Sequence, residues 1–304
     1  MKTAIWIQKH TSSLSGKTVA VSGATGGIGR ELCRHLAALD AHLLLLDRNQ
    51  ARSADLEQSL LADYPTLHIQ RIPLDLEDID NVRQTAELLS KRPPDVLILN
   101  AGIYQVPRHK CSTGLDNVFQ VNFLSPYYLV RTLLPHLRTR NGKVIVVGSI
   151  AHTNAPTDRN DIDFSTRSKS NLIYGNSKRF LMYAMYGLFG NEPGLSVVHP
   201  GITLTNISAH HPPFIFHLIK HPMKIIFMSP KKACLSILAG IFDHCRIYEW
   251  IGPKWFDIWG FPKKKPLNSC ISEEASWIFE TAERLYQQMR ESDSGSTKIQ
   301  NKNR

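Results

Sequence analysis

The chain has 304 residues, is 42% hydrophobic and 20% charged, and carries a formal net charge of +10. That is enough to bury a large core in one sizeable α/β domain, and it excludes a collagen-like, repetitive or predominantly disordered chain. Five scattered cysteines (Cys33, Cys111, Cys234, Cys245, Cys270) make no C-x-x-C pair, which argues against a disulfide framework or zinc knuckle and for a reducing, cytoplasmic setting.

The first apolar run, Ala4 to Ile7, is too short for a signal peptide or a spanning helix, and Ala233 to Phe242 has only the length of a core helix. Basic residues gather at Lys263-Lys264-Lys265 and at Lys298, Lys302 and Arg304. No nucleic-acid motif accompanies them, so no nucleic-acid partner is expected.

Val19 to Val21 predicts a buried strand. It runs into a glycine turn containing Gly23, Gly27 and Gly29, then a helix with Leu32, Cys33, Leu36 and Leu39 on one face. Strand, glycine turn and helix are the context of a dinucleotide fingerprint, because glycine lets backbone approach a pyrophosphate at a helix N-terminus. Further strands are predicted at His42–Leu46, His68–Ile72, Val96–Leu99, Lys143–Val147 and Leu195–Val198. Crossover helices are predicted at 52–63, 79–91 and 114–138. Such alternation implies a doubly wound, Rossmann-type parallel sheet with helices on both faces, whose ligands bind at the carboxyl ends of the strands.

Residues with chemistry follow those ends. Asp47 follows the second strand, close to the ~20-residue spacing at which a carboxylate meets the adenosine ribose. A carboxylate there repels a 2′-phosphate, while the adjacent Arg48 attracts one. On balance NAD(H) is favoured over NADP(H). Asp75-Leu76, Asn100-Ala101-Gly102, Gly148-Ser149 and Pro200-Gly201-Ile202 follow the later strands. Tyr174 and Lys178 stand at i and i+4, on one helical face. A phenol with a pKa near 10 is a poor base, and a neighbouring ammonium favours its phenolate.

With these residues in this order, the chain resembles a short-chain dehydrogenase/reductase, over roughly Lys17 to Thr205. The motif Gly148-Ser149-Ile150-Ala151-His152 and the long C-terminal extension are similar to the retinol-dehydrogenase-like branch. Ser22 stands where the family usually has threonine, and Asp47 where that branch usually has a neutral residue. The resemblance implies that Tyr174 is the acid/base and Ser149 binds the substrate oxygen. It implies that Lys178 lowers the Tyr174 pKa and holds the nicotinamide ribose, and that Asn122 holds a proton-relay water. The implied cofactor contacts are Ser22, Gly23, Gly27, Ile28, Gly29, Asp47, Arg48, Asp75, Leu76, Asn100, Ala101, Gly102, Pro200, Gly201, Ile202 and Thr205, with Tyr174 and Lys178. It also implies a homodimer or homotetramer paired through the helices after Gly114 and Tyr174.

The implied reaction interconverts an alcohol and a carbonyl on an apolar substrate. Alternatives are an epimerase or dehydratase on the same fold, or a cofactor-binding sensor or scaffold without turnover. Residues 210–228 mix large apolar groups with His217, Lys220, His221 and Lys224, and read as a substrate lid, a peripheral membrane patch, or core or interface packing. These histidines lack a carboxylate or cysteine partner, so no metal is expected. Tyr248–Phe256 is aromatic and turn-rich, 272–290 an amphipathic helix, and 291–304 a polar tail expected to be disordered. The whole reads as a single domain over 1–290, with about 206–270 as its substrate extension.

Overall fold

The computed structural model describes residues 2–203 and 228–300, with side chains as far as residue 291. Strands are β1 (Thr18–Ser22), β2 (His42–Asp47), β3 (Ile69–Pro73), β4 (Val96–Leu99), β5 (Lys143–Val147), β6 (Leu195–Val198), β7 (Glu249–Trp255) and β8 (Trp259–Pro266). They form one sheet in the order β3-β2-β1-β4-β5-β6-β7-β8. Every pair is parallel except β7 with β8. The order reverses between β1 and β4, and the crevice at their carboxyl ends is where such sheets bind ligands.

Helices α1 (Thr3–His10), α2 (Gly27–Ala37), α3 (Gln50–Asp63) and α8 (Pro230–Phe242) supply the core of one face. The other face is covered by α4 (Ile79–Lys91), α6 (Ser125–Arg138), α7 (Ser170–Phe189) and α9 (Ser272–Gln300). The central strands are apolar throughout because both their faces are covered. Local signals set the helix starts. Asn49 accepts from the Arg52 N–H at 3.0 Å, and Asp78 from those of Asp80 at 3.0 Å and Asn81 at 3.2 Å. Each such cap is worth about 1 kcal/mol.

Four features depart from the sequence reading. The expected helix over 114–138 is broken into α5 (Asn117–Phe119), a π-turn at Gln120–Leu124 and α6. Pro126 has no N–H to offer the Asn122 carbonyl, so the turn widens there. The aromatic stretch after Tyr248 is strand β7, covered by β8. Prolines and lysines disguise this hairpin, yet Pro262 and Lys263 to Lys265 are tolerated on the edge strand β8, and Pro253 and Lys254 lie beyond Ile251, where β7 registers with β6. The amino terminus forms α1, whose buried Trp6 stacks on His10 at 4.7 Å and Phe261 at 6.4 Å. Finally, α9 continues to Gln300, beyond the end expected at Arg290, with no proline to interrupt it.

The helices expected to pair subunits also pack against the chain's own final helix. α7 is buried from Gly175 to Tyr186. α9 lies across it, with Phe279 against Gly187, where a Cβ would fall 2.5 Å from the Phe279 Cβ. Glu283 of α9 accepts from Tyr127 at 2.5 Å and from Arg131 at 2.9 Å on α6. The final helix thus covers part of the α6 and α7 faces within the chain. Among the described residues, no helix is long and apolar enough to cross a membrane.

Candidate active site

β1 ends at Ser22, and Gly23 turns the chain with φ +65°, a left-handed conformation that favours glycine. A Cβ on Gly23 would fall 2.9 Å from the Ala101 Cα. A Cβ on Gly29, in the first turn of α2, would fall 2.3 Å from the Gly23 carbonyl oxygen. Only glycine permits this packing, which presents the N-terminus of α2 to the crevice. Ser22 does not line the cleft as expected. It is buried, donates to the Ile98 carbonyl at 3.2 Å and accepts from the N–H groups of Asn100 and Ala101, both at 3.1 Å. The Asn100 amide donates to the carbonyls of Ser22 at 3.1 Å and Gly23 at 3.0 Å. Ser22 is thus a buckle between β1 and β4, a role that its hydroxyl fills.

A cleft of about 860 Å³ runs from this turn along the strand ends. Gly23, Gly27, Ile28, Gly29, Asp47, Arg48, Asp75, Leu76, Asn100, Ala101, Gly102, Ser149, Tyr174, Lys178, Pro200, Gly201 and Ile202 all line it. Thr205, and most of the 210–228 segment, lie outside the described residues. Asp47 is 3% exposed, and its carboxylate is largely committed. Oδ1 accepts from the Thr25 N–H and hydroxyl, both at 3.0 Å, and Oδ2 from the Ser53 hydroxyl at 3.1 Å. Burial pushes the carboxyl pKa up, against the pull of these bonds and of Arg30. Asp47 therefore braces the glycine turn as well as facing the cleft. Arg48 is exposed, 3.5 Å from the Glu77 carboxylate.

At the other end Tyr174 and Lys178 project from α7. Tyr174 hydrogen-bonds Ser149, which holds its pKa down, but burial outweighs this and raises it to about 12. The Tyr104 ring packs edge-on against Tyr174 at 5.1 Å. Lys178 is buried and donates to the Val147 carbonyl at 2.9 Å, with Nζ 5.8 Å from the Tyr174 ring centroid. Burial lowers its pKa to about 8. The cation expected to activate the phenol is thus beside it, but desolvation dominates both groups.

Asn122 is fully buried in the π-turn. Its side chain accepts from the Ile103 N–H at 2.8 Å and donates to the Ile103 carbonyl at 2.9 Å and to Ser177 Oγ at 3.1 Å. Gly148, which the sequence reading placed beside Ser149, and Gly175, to which it gave no role, set how closely α7 meets the serine turn. A Cβ on Gly175 would fall 2.4 Å from the Ala151 carbonyl oxygen, and one on Gly148 would fall 2.6 Å from Met182 Sδ. They let α7 press onto the Ser149 turn. Thr25, Tyr104, Asn154, Asn171, His199 and Thr203 also line the cleft, without any short motif to mark them. Among the described residues, no group of histidines, cysteines and carboxylates is placed to hold a metal.

Residues 17–159 match the profile of the family described as short chain dehydrogenase. Dehydrogenase/reductase SDR family member FEY of Arabidopsis thaliana is 32% identical over 248 residues, covering 76% of this chain and 66% of that protein. Retinol dehydrogenase 12 of Mus musculus is 28% identical over 247 residues, covering 79% of this chain and 76% of that protein. For the first curated relatives, the matched part spans 35% to 66% of their own length. An uncharacterized protein from Mycobacterium paratuberculosis shares the fold with a TM-score of 0.71 at 22% identity, covering 91% of this chain and 95% of that one. A short-chain dehydrogenase from Sphingobium yanoikuyae in complex with NADPH does so with a TM-score of 0.58 at 20% identity, covering 74% and 84%. The profile match begins at the strand before the glycine turn, and the similarity to relatives of this kind extends over three quarters of the sequence: the chain belongs to the short-chain dehydrogenase/reductase family, on its retinol-dehydrogenase-like branch.

Proposed function

We propose that the protein is a nicotinamide-dinucleotide-dependent oxidoreductase that interconverts an alcohol and a carbonyl on an apolar substrate. The observation that carries this reading is the meeting of Tyr174, Ser149 and Lys178 at one end of a cleft whose other end is the glycine turn. The cradle around Gly23 and Gly29, closed to any side chain, fits a dinucleotide pyrophosphate against α2. Bound there, the cofactor supplies or accepts the hydride.

The chain's own residues handle the proton. In reduction Ser149 holds the carbonyl oxygen and the Tyr174 phenol donates its proton to it; in oxidation Tyr174 takes the alcohol proton. The Lys178 ammonium stabilises the phenolate. The Asn122 side chain is spent on Ile103 and Ser177, so its main-chain carbonyl, which Pro126 cannot satisfy, is the acceptor for a relay water. Ile103, Tyr104, Val106 and Ile150 give the substrate end its apolar wall. These groups distinguish an enzyme from a cofactor-binding scaffold, which needs none of them.

NAD(H) is the favoured cofactor in this reading. Asp47 keeps a carboxylate at the ribose end, and Glu77 draws Arg48 away from a 2′-phosphate. Titration of NADH and NADPH, followed by tryptophan quenching, tests both levels. Tighter NADH binding is expected; failure to bind either would overturn the enzyme reading. Glu77→Gln should release Arg48 and improve NADPH binding about 3- to 10-fold, with NADH unchanged. This corresponds to about 0.7–1.4 kcal/mol, the scale of an exposed ion pair.

A further inference from the structure

His152 stands three residues beyond Ser149 and is fully buried. Its Nδ1 lies 2.6 Å from the Ser149 carbonyl oxygen, and its Nε2 lies 2.6 Å from the Ser269 hydroxyl. A carbonyl can only accept, so Nδ1 carries the proton and Nε2 accepts from Ser269. Burial pushes the His152 pKa down, which keeps the ring in this neutral form. Trp250 and Tyr183 pack edge-on around it at 5.7 and 6.2 Å.

The same corner is fastened at further points. Tyr183 donates its hydroxyl to the Ser269 carbonyl at 2.7 Å. Arg179, the neighbour of Lys178, donates to the His152 carbonyl at 3.1 Å and to both Glu274 oxygens at 2.6 Å. Glu274 belongs to the first turn of α9. Thr157 also donates to it. By contrast, the 3₁₀ turn that carries the serine, Ile150–Asn154, is only five residues long, and its internal bonds are few: the Ala151 N–H to Ser149 Oγ and the His152 N–H to the Ser149 carbonyl, both at 3.2 Å, the Ala155 N–H to the His152 carbonyl at 3.4 Å, and the Thr153 hydroxyl to the Ile150 carbonyl at 2.8 Å. A turn of this kind is weak unless bonds from outside hold it.

We infer that His152 is a positioning residue: it clamps the main chain of Ser149 to the Ser269–Glu274 corner of the C-terminal segment and so keeps the Ser149 hydroxyl aimed at the substrate oxygen beside Tyr174. The inference rests on the proposed role of Ser149. It makes the C-terminal segment part of the catalytic geometry, although none of its residues touches the reacting atoms. A misplacement of about 1 Å in such a group can cost about 10²-fold in rate.

The test uses the full chain, decanal as the carbonyl probe, NADH and NADPH, and the variants His152→Phe, His152→Asn and Ser269→Ala. His152→Phe should lower kcat about tenfold or more, with KM for the dinucleotide within about twofold of the original, as expected for a positioning loss. His152→Asn returns an N–H donor near the Nδ1 position and should recover much of that loss, which a merely structural role would not do. Ser269→Ala leaves His152 in place and should lower kcat in the same direction, which keeps the test open if the larger substitution fails to fold. Hydrogen–deuterium exchange of the peptide spanning 149–154 should quicken in both His152→Phe and Ser269→Ala, with exchange at the glycine turn unchanged. A kcat within about twofold of the original in His152→Phe, or unchanged exchange over 149–154, would overturn the clamp. If the unaltered protein reduces no carbonyl probe, the proposed reaction fails, and the exchange measurement still decides whether the clamp exists.

Discussion

Replacing Tyr174 by phenylalanine is expected to lower kcat by about 10²–10⁴-fold, the range for losing a positioned acid/base. Binding of NADH should be unchanged, because the glycine turn and the α2 N-terminus are untouched. Single-turnover hydride transfer and dinucleotide titration on the same preparations check the pair of outcomes. A variant that keeps its turnover would remove Tyr174 from the chemistry and favour the scaffold reading. The pH dependence carries a sign. With its pKa pushed up to about 12, the phenol of the cofactor-free protein is protonated at neutral pH, ready to donate in reduction. Oxidation needs the phenolate, so its rate should climb with pH while reduction stays flat below about 8, where Lys178 begins to lose its charge.

The second large effect is expected far from the chemistry. Gly187→Phe puts a ring where even a Cβ would meet Phe279 at 2.5 Å, so α9 must leave its seat on α7. Displacing it uncovers Ile278, Ala282, Leu285 and Tyr286, all buried now, together with the α6 and α7 side chains beneath them. It also strands Glu283 away from Tyr127 and Arg131. Overpacking of this kind costs about 1–3 kcal/mol, and loss of the apolar contacts adds to it. We expect a fall in Tm of several degrees, and self-association through the uncovered face. Light scattering on a sizing column should show the variant as larger species than the unaltered chain. An unaltered chain that runs as a stable dimer, with α9 seated, would mean that it pairs through another surface.

The positions of the first six strands and of most crossovers along the chain are legible in the sequence, because most of these buried parallel strands are short apolar runs. The glycine turn and the Tyr174–Lys178 pair are legible for a related reason: each is a local motif whose spacing alone sets its geometry. The β7–β8 hairpin is not, since Pro253, Pro262 and Lys263 to Lys265 contradict strand propensity; Pro262 and the lysines are acceptable on the edge strand β8, and Pro253 on β7 because it lies beyond Ile251, where β7 registers with β6. Asp47 shows a subtler limit. Its place at the end of β2, on the cleft, is readable from spacing, but its bonds to Thr25 and Ser53 depend on how two turns meet.

Sequence by itself therefore determined the fold class, the glycine turn and the Tyr174–Lys178 pair, because these rest on periodicity and near-neighbour spacing. Tertiary structure decided the rest: that Ser22 buckles two strands, that Gly175 and Gly148 bring α7 onto the serine turn, that His152 reaches Ser269, and that α9 occupies the face of α6 and α7. Each of these is a contact between residues far apart in the chain, and close packing of the core, which no local pattern encodes, fixes which of them meet.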